Sequence, residues 1–231
     1  MGADGMGADR SARYGGFLGK LSDDEARALR ERGRRRAYDG GVPIFHEGEV
    51  SDRIVVLLEG RAKISTVTED GKEVMLGVRD PGDLLGEFSA IDGEPRSANV
   101  IAMEPVEALV LDASSFRQWL TEHPRTALLM LEMVLARLRD ADRKRVEFSA
   151  YDTVGRVARR LYELAERFGR STSGGVEIGL PLTQDELAAW TGASRVGVSQ
   201  ALKALRERGW IETRRRSITV RDMAALERRA T

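Results

Sequence analysis

Four glycines, Gly48, Gly60, Gly71 and Gly82, recur at intervals of 12, 11 and 11 residues and cut one stretch of the chain into short β-type runs. The runs read "RIVVLLEG", "RAKISTV", "EVMLGV", "ANVIAM" and "VEALVL". Short strands at regular spacing with glycine turns predict an all-β barrel or jelly roll between about residue 35 and residue 111. "EDGK", residues 69–72, is a strong hairpin turn inside it. Ahead of the roll, Ser22 and Glu25 in "LSDDEARALRERG" have the spacing of a capping box, which predicts a short helix.

After "DASSF" the period changes. "TALLMLEMVLARLRDADRKRVEF", 126–148, contains neither Gly nor Pro, and Leu128, Leu131, Leu135 and Leu138 step by three, four and three, a heptad seam. A helix of this length does not stand alone and needs a partner along its seam. A second copy in a parallel dimer is the expected partner; packing on the chain's own roll is the alternative. The same register carries Asp142 and Arg145 into seam positions.

A boundary is expected near Phe148–Asp152. "DTVGRVARRLYELAERFG" then reads as an amphipathic helix ending at Gly169, and "STSGG" as a loop. In the segment that follows, Thr183 and Glu186 form a capping box, Gly192 closes that helix, and Ser194 caps the next, which runs to about Arg208. Two helices joined by a tight turn at Gly make a helix-turn-helix. Leu187, Val198 and Leu202 fall at core positions, Ala188 is small where the helices cross, and Thr191 is a mediocre core residue.

The second helix presents Arg195, Val196, Gly197, Gln200 and Lys203 outward. Such a face suits a major groove, where Arg pairs with guanine and Gln with adenine. Thr183 and Ser194 stand at helix starts, which favour a phosphate. "IETRRRSITV" reads as two strands around a basic turn, so Arg214, Arg215 and Arg216 sit on the tip of a wing. Formal charge agrees: residues 151–231 carry 15 Lys and Arg against 10 Asp and Glu, while the preceding part carries 22 against 27. A basic third on a neutral chain points to a polyanionic partner, double-stranded DNA; a solvated surface is the plain alternative.

Other classes are pruned by what the chain lacks. It has no cysteine, which excludes disulfides, iron–sulfur clusters and thiolate zinc sites. The two histidines, His46 and His123, do not form the cluster that a metal-dependent barrel enzyme needs, and neither has an evident partner as a haem ligand. Neither a nucleophile with its base nor a phosphate-cradling loop of the nucleotide hydrolases is found, so no enzyme is expected. No apolar run spans a bilayer and "MGADGMGADRSARYGG" has no apolar core, so residues 1–16 read as a disordered tail on a cytoplasmic protein without membrane attachment.

In this order, the roll, the seam helix and the winged helix-turn-helix resemble the CRP/FNR family of bacterial transcription regulators. The resemblance rests on the roll glycines, "PGDLLGEFSAIDGEPRSA", "DTVGRVA" and "LTQDELAAWTGASR", and covers roughly residues 17–221. It implies an α+β chain: a cyclic-nucleotide-binding β-roll (jelly roll) at 17–121, a dimerisation helix and hinge at 122–150, and a winged helix-turn-helix domain at 151–231. "GEFSAIDGEPRSA" is similar to the family's phosphate-binding cassette, with Gly86, Glu87, Phe88, Arg96 and Ser97 as the residues carried over. Arg96 offers a planar fork to a cyclic phosphate, Ser97 a donor, and Glu87 an acceptor for a ribose hydroxyl. Arg137 stands where the family often places an arginine that steadies the cassette glutamate. The alternative is a Glu87–Arg96 salt bridge in a ligand-free roll.

The resemblance further implies a cAMP effector, a homodimer, a palindromic operator and RNA polymerase as a further partner. Two departures bear on this. Val196 and Gly197 follow Arg195 where well-known members have Glu first, and Gln200 replaces a second Arg, so a different operator is expected. Ala141 and Asp142 replace the hydroxyl residues that face the purine, which leaves cGMP, another nucleotide or no effector open. A nucleotide-independent architectural DNA-binding protein is the competing class.

Overall fold

The computed structural model describes residues 15–180, 182–214 and 217–229; residues 1–14 of the expected tail and Arg215 and Arg216 of the wing lie outside the described residues. The chain divides into two compact units, one ending at Arg139 and the other beginning at Asp140.

In the first unit, helix α1 (Asp23–Arg32) starts at the expected capping box, with Ser22 accepting from the Glu25 N–H and Glu25 accepting from the Ser22 N–H. Eight strands follow: β1 (Arg34–Tyr38), β2 (Pro43–Phe45), β3 (Arg53–Glu59), β4 (Ala62–Val67), β5 (Glu73–Arg79), β6 (Leu84–Leu85), β7 (Asn99–Ala102) and β8 (Val106–Asp112). They form two antiparallel four-stranded sheets, β1-β8-β3-β6 and β2-β7-β4-β5. Apart from the β4–β5 hairpin, successive strands therefore trade sheets, as in a jelly roll. Gly48, Gly60, Gly71 and Gly82 all turn the chain at positive φ.

Within "RIVVLLE" the five residues from Ile54 to Leu58 are all apolar because β3 is buried on both faces. Ile54, Val56 and Leu58 join a core with Leu29, Phe116 and Trp119 of the helices, while Val55 and Leu57 join Phe45, Ile64, Val100 and Ala108 between the sheets. Helices α2 (Glu87–Asp92) and α3 (Ala113–Glu122) complete the roll. His123 closes α3 and lies 5.6 Å, centroid to centroid, from the Trp119 ring, a structural setting.

Helix α4 (Pro124–Ala150) begins in this unit with two faces. Ala127, Leu129, Met130 and Met133 pack on the helix-side core. Leu128, Leu131, Leu135 and Leu138 are between 41% and 63% exposed in the single chain. The two readings of the helix are thus not exclusive: one face lies on the roll and the leucine seam is left uncovered.

The second unit takes up α4 at Asp140. The helix ends at Ala150 and α5 (Thr153–Phe168) starts under the Asp152 cap, which accepts from the Gly155 N–H at 2.7 Å. α6 (Gln184–Thr191), α7 (Arg195–Glu207) and α8 (Met223–Arg229) surround α5, burying Val157, Leu161, Leu164, Val198, Leu202, Leu205 and Leu226. A four-stranded sheet in the order β11-β12-β10-β9 flanks them: β9 (Gly169–Thr172), β10 (Gly175–Ile178), β11 (Ile211–Arg214) and β12 (Ser217–Val220). The "STSGG" loop is thereby corrected. Ser171 and Thr172 end β9 and Gly175 opens β10, in a hairpin whose first strand is wholly exposed and so carries no alternation to read.

The last turns of α4 are bound tightly into this unit. Glu147, 7% exposed, lies 3.4 Å from Arg159 and 3.6 Å from Arg160, and both arginines also pair with Glu163. The Arg160 guanidinium sits 5.0 Å over the Trp190 ring. Burial, followed by the nearby Glu163, pushes the Glu147 carboxyl above its ordinary range in spite of the two arginines.

Candidate functional site

The cassette is built by a turn only glycine can make. Gly86 links β6 to α2 at φ 79°, and a Cβ there would run into the Arg96 guanidinium and the Phe45 ring. Arg96 comes back beside it from ten residues downstream. Its Nη1 donates to the Gly86 carbonyl at 3.0 Å; its Nη2 donates to Ser51 Oγ at 2.9 Å and to the Arg53 carbonyl. The guanidinium stacks 3.8 Å over the Phe45 ring and the residue is 4% exposed. Its Nε is buried without a hydrogen-bond partner among the described residues. Burial pulls this guanidinium below the ordinary arginine value, with Glu49 acting against it and Arg53 adding to it.

Glu87, 5% exposed, is paired with Arg137, whose Nη2 also donates to the Leu84 carbonyl at 2.9 Å. Among the described residues Glu87 is thus salt-bridged to the long helix and not to Arg96, contrary to the ligand-free alternative. Phe88, 44% exposed, and Ser97 lie at the surface of the cassette.

In the second unit α6 and α7 make the expected helix-turn-helix. Thr183 caps α6 in a capping box, Gly192 turns at φ 60° and Ser194 Oγ accepts from the Gly197 N–H at 3.0 Å. Thr191, the mediocre core position, is 2% exposed and satisfied: its hydroxyl donates to the Leu187 carbonyl at 2.7 Å. Gly192 has a second reason to be glycine, since a Cβ would meet the Phe148 ring of α4. Arg195, Val196, Gln200 and Lys203 are exposed on α7 and Gly197 is partly covered. Arg195 Nε lies 3.5 Å from Asp185 on α6, and Lys203 lies 3.8 Å from Glu207. Arg214 ends β11, exposed at the wing.

A family model for the cyclic nucleotide-binding domain matches residues 35–123, and one for the Crp-like helix-turn-helix domain matches residues 155–229. A CRP-like cAMP-activated global transcriptional regulator of Mycobacterium tuberculosis is 33% identical over 219 residues, 95% of this chain and 97% of that one. The chain belongs to the CRP/FNR family of transcription regulators. A cyclic AMP receptor protein of Thermus thermophilus is 31% identical over 84% of this chain and 87% of its own length. The solved c-di-GMP responsive global regulator CLP of Xanthomonas campestris shares the fold, with a TM-score of 0.79 at 21% identity over 86% of this chain and 99% of that one.

Within this CRP/FNR regulator the remaining expected residues are distributed unevenly. Asp142 belongs to the second unit, whereas the cassette and Arg137 belong to the first. Its side chain is 62% exposed and lies 3.9 Å from Arg145 of the same helix, the other charged residue that the register carries into the seam. Residues not foreseen are Phe45, Ser51 and Arg53 around Arg96, and Asp185 beside Arg195. The first three lie more than forty residues from Arg96, and one acts through its backbone carbonyl, so no local spacing reveals them. Among the described residues no three His, Cys, Asp or Glu side chains cluster as metal ligands, and no helix is long and apolar enough to cross a membrane.

Proposed function

We propose that the protein is a homodimeric transcription regulator whose affinity for DNA is set by a cyclic nucleotide held at the cassette, cAMP first and cGMP or another nucleotide as the alternative. The observation that carries this is Arg96: a buried, charged fork whose Nε has no partner among the described residues, lined by Phe45 of β2, Ser51 of the following loop and Arg53 of β3, beside a glycine that leaves room at the backbone. An unpaired buried polar atom is costly, and an anion offsets that cost. Ser97 adds an exposed hydroxyl at the same turn. Glu87, oriented by Arg137, supplies the acceptor for a ribose hydroxyl and links the ligand to α4.

The names of the Mycobacterium and Thermus relatives support cAMP. The Xanthomonas regulator, described as responsive to c-di-GMP, supports keeping other guanine nucleotides in view. On DNA, Arg195 reads a guanine and Gln200 an adenine, Lys203 and Arg214, with Arg215 and Arg216, meet phosphates, and Thr183 and Ser194 set helix starts against the backbone. Two such heads in a dimer address half-sites about one helical turn apart in a palindromic operator. RNA polymerase is the further partner of such a regulator.

Calorimetry with cAMP, cGMP and c-di-GMP tests the effector. Arg96→Lys keeps the charge and loses the fork, so affinity for the bound nucleotide falls by about 1.5–3 kcal/mol. Ser97→Ala, at an exposed position, weakens binding without lowering the melting temperature. Unchanged nucleotide affinity in both variants overturns the site.

A further inference from the structure

The start of the recognition helix breaks a local rule. Val196 and Gly197 occupy the second and third positions of α7, and both are poor helix formers; Gly costs about 1 kcal/mol against Ala in a helix. Among the described residues no packing contact demands either. Val196 is 66% exposed. A Cβ on Gly197 would meet Ser194 Oγ at 3.3 Å and the Thr153 methyl at 3.5 Å, a fit that asks a few tenths of an ångström of a hydroxyl. The turn is held by the Ser194 cap, whose hydroxyl accepts from the backbone N–H of residue 197 and so needs no particular side chain at 196. Sequence choices that cost local stability without gain in packing mark a demand from outside.

Their neighbour is held aside. Arg195 Nε lies 3.5 Å from Asp185 of α6. A cation at the first position of a helix is disfavoured by the helix dipole, and Asp185 offsets this by drawing the guanidinium toward α6. The result, on the exposed start of α7, is an uncovered isopropyl group next to a residue with no side chain, between Arg195 and Gln200. A patch of that kind is apolar, about one methyl group wide, and open to close approach.

We infer that Val196 reads the 5-methyl group of a thymine next to the guanine read by Arg195, with Gly197 letting the backbone come close enough for contact. The methyl is the one apolar feature that base pairs present in the major groove. This rests on the assignment of α7 as the DNA-reading helix. It makes the operator half-site carry a required thymine that no hydrogen bond specifies.

The test uses the full-length protein with cAMP present and, in parallel, without nucleotide. Operators are selected from random double-stranded DNA, and each thymine of the consensus half-site is replaced in turn by uracil, which differs only by the methyl. Binding of the wild type weakens about fourfold at one thymine per half-site, as expected for one methyl group returned to water. In Val196→Ser the same replacement has no effect, while replacements elsewhere act as in the wild type. Equal binding of every uracil operator by the wild type, or the same loss persisting in Val196→Ser, overturns the inference while leaving DNA binding intact. Failure of any sequence to be enriched overturns the DNA-reading assignment itself, and the inference with it.

Discussion

Single residues decide the chemistry here through what surrounds them. Glu147 is a carboxylate buried between two arginines, yet its carboxyl is pushed up because burial and Glu163 outweigh them. The folded chain therefore holds this proton more tightly than the unfolded chain. Stability falls as pH rises from the ordinary carboxylate range through the raised value, and the penalty is complete above it. Glu147→Gln removes that dependence: urea midpoints of variant and wild type, measured from about pH 4 to about pH 8, move in the variant's favour as pH rises. A constant difference across that range means that Glu147 titrates as an ordinary surface acid. Arg96 teaches a related lesson. Its identity and neighbours in "DGEPRSA" were legible, but its burial was not, because its partners are two backbone carbonyls and a serine brought in from another strand–loop segment. Arg96→Leu would strip three acceptors of their donor, so it reports on folding as much as on ligand; hence the lysine variant.

At the scale of elements, what packs by periodicity could be read and what pairs only through its backbone could not. β3, β4, β5, β7 and β8 follow apolar runs, α5 follows an amphipathic period, and α1, α6 and α7 follow caps that the structure reproduces. β1 escapes because its first four residues, "RRRA", are all exposed; β6 has two residues; β9 is polar throughout. α8 escapes for a different reason: its anchorage is distant, Arg229 donating to both oxygens of the Asp152 cap at 2.6 Å. The leucine seam of α4 is the element-scale feature with the clearest consequence. Four leucines left half-exposed in one chain are a large apolar stripe for a helix that already buries its other face. Leu135→Glu sets like charges against each other where two copies meet. Analytical ultracentrifugation at micromolar concentration is expected to show monomers; a retained dimer places the interface on another surface.

For the whole molecule, the function proposed above requires nucleotide at the roll and DNA at α7 to be linked by free energy, each then raising affinity for the other by the same factor, a coupling that is typically about 1–3 kcal/mol. Asp142 tests where the purine sits in that linkage. Guanine presents a ring N–H beside an exocyclic amine, a match for a carboxylate; adenine presents the amine alone. Asp142→Ala is expected to change the ratio of cGMP to cAMP affinity several-fold. If both affinities hold and the dimer weakens, Asp142 serves the seam, alongside the Arg145 beside it.

The junction between Arg139 and Asp140 has one more consequence. It falls inside an unbroken α-helix, with no loop to absorb a change in length. One residue inserted there turns everything downstream by about 100° and advances it about 1.5 Å; four residues bring the phase back to within about 40°, and seven to within about 20°. Length changes at this point are read as angles. A ladder of one to seven inserted alanines should therefore give DNA binding that fails and returns with the period of the helix, where a slack tether would decline smoothly.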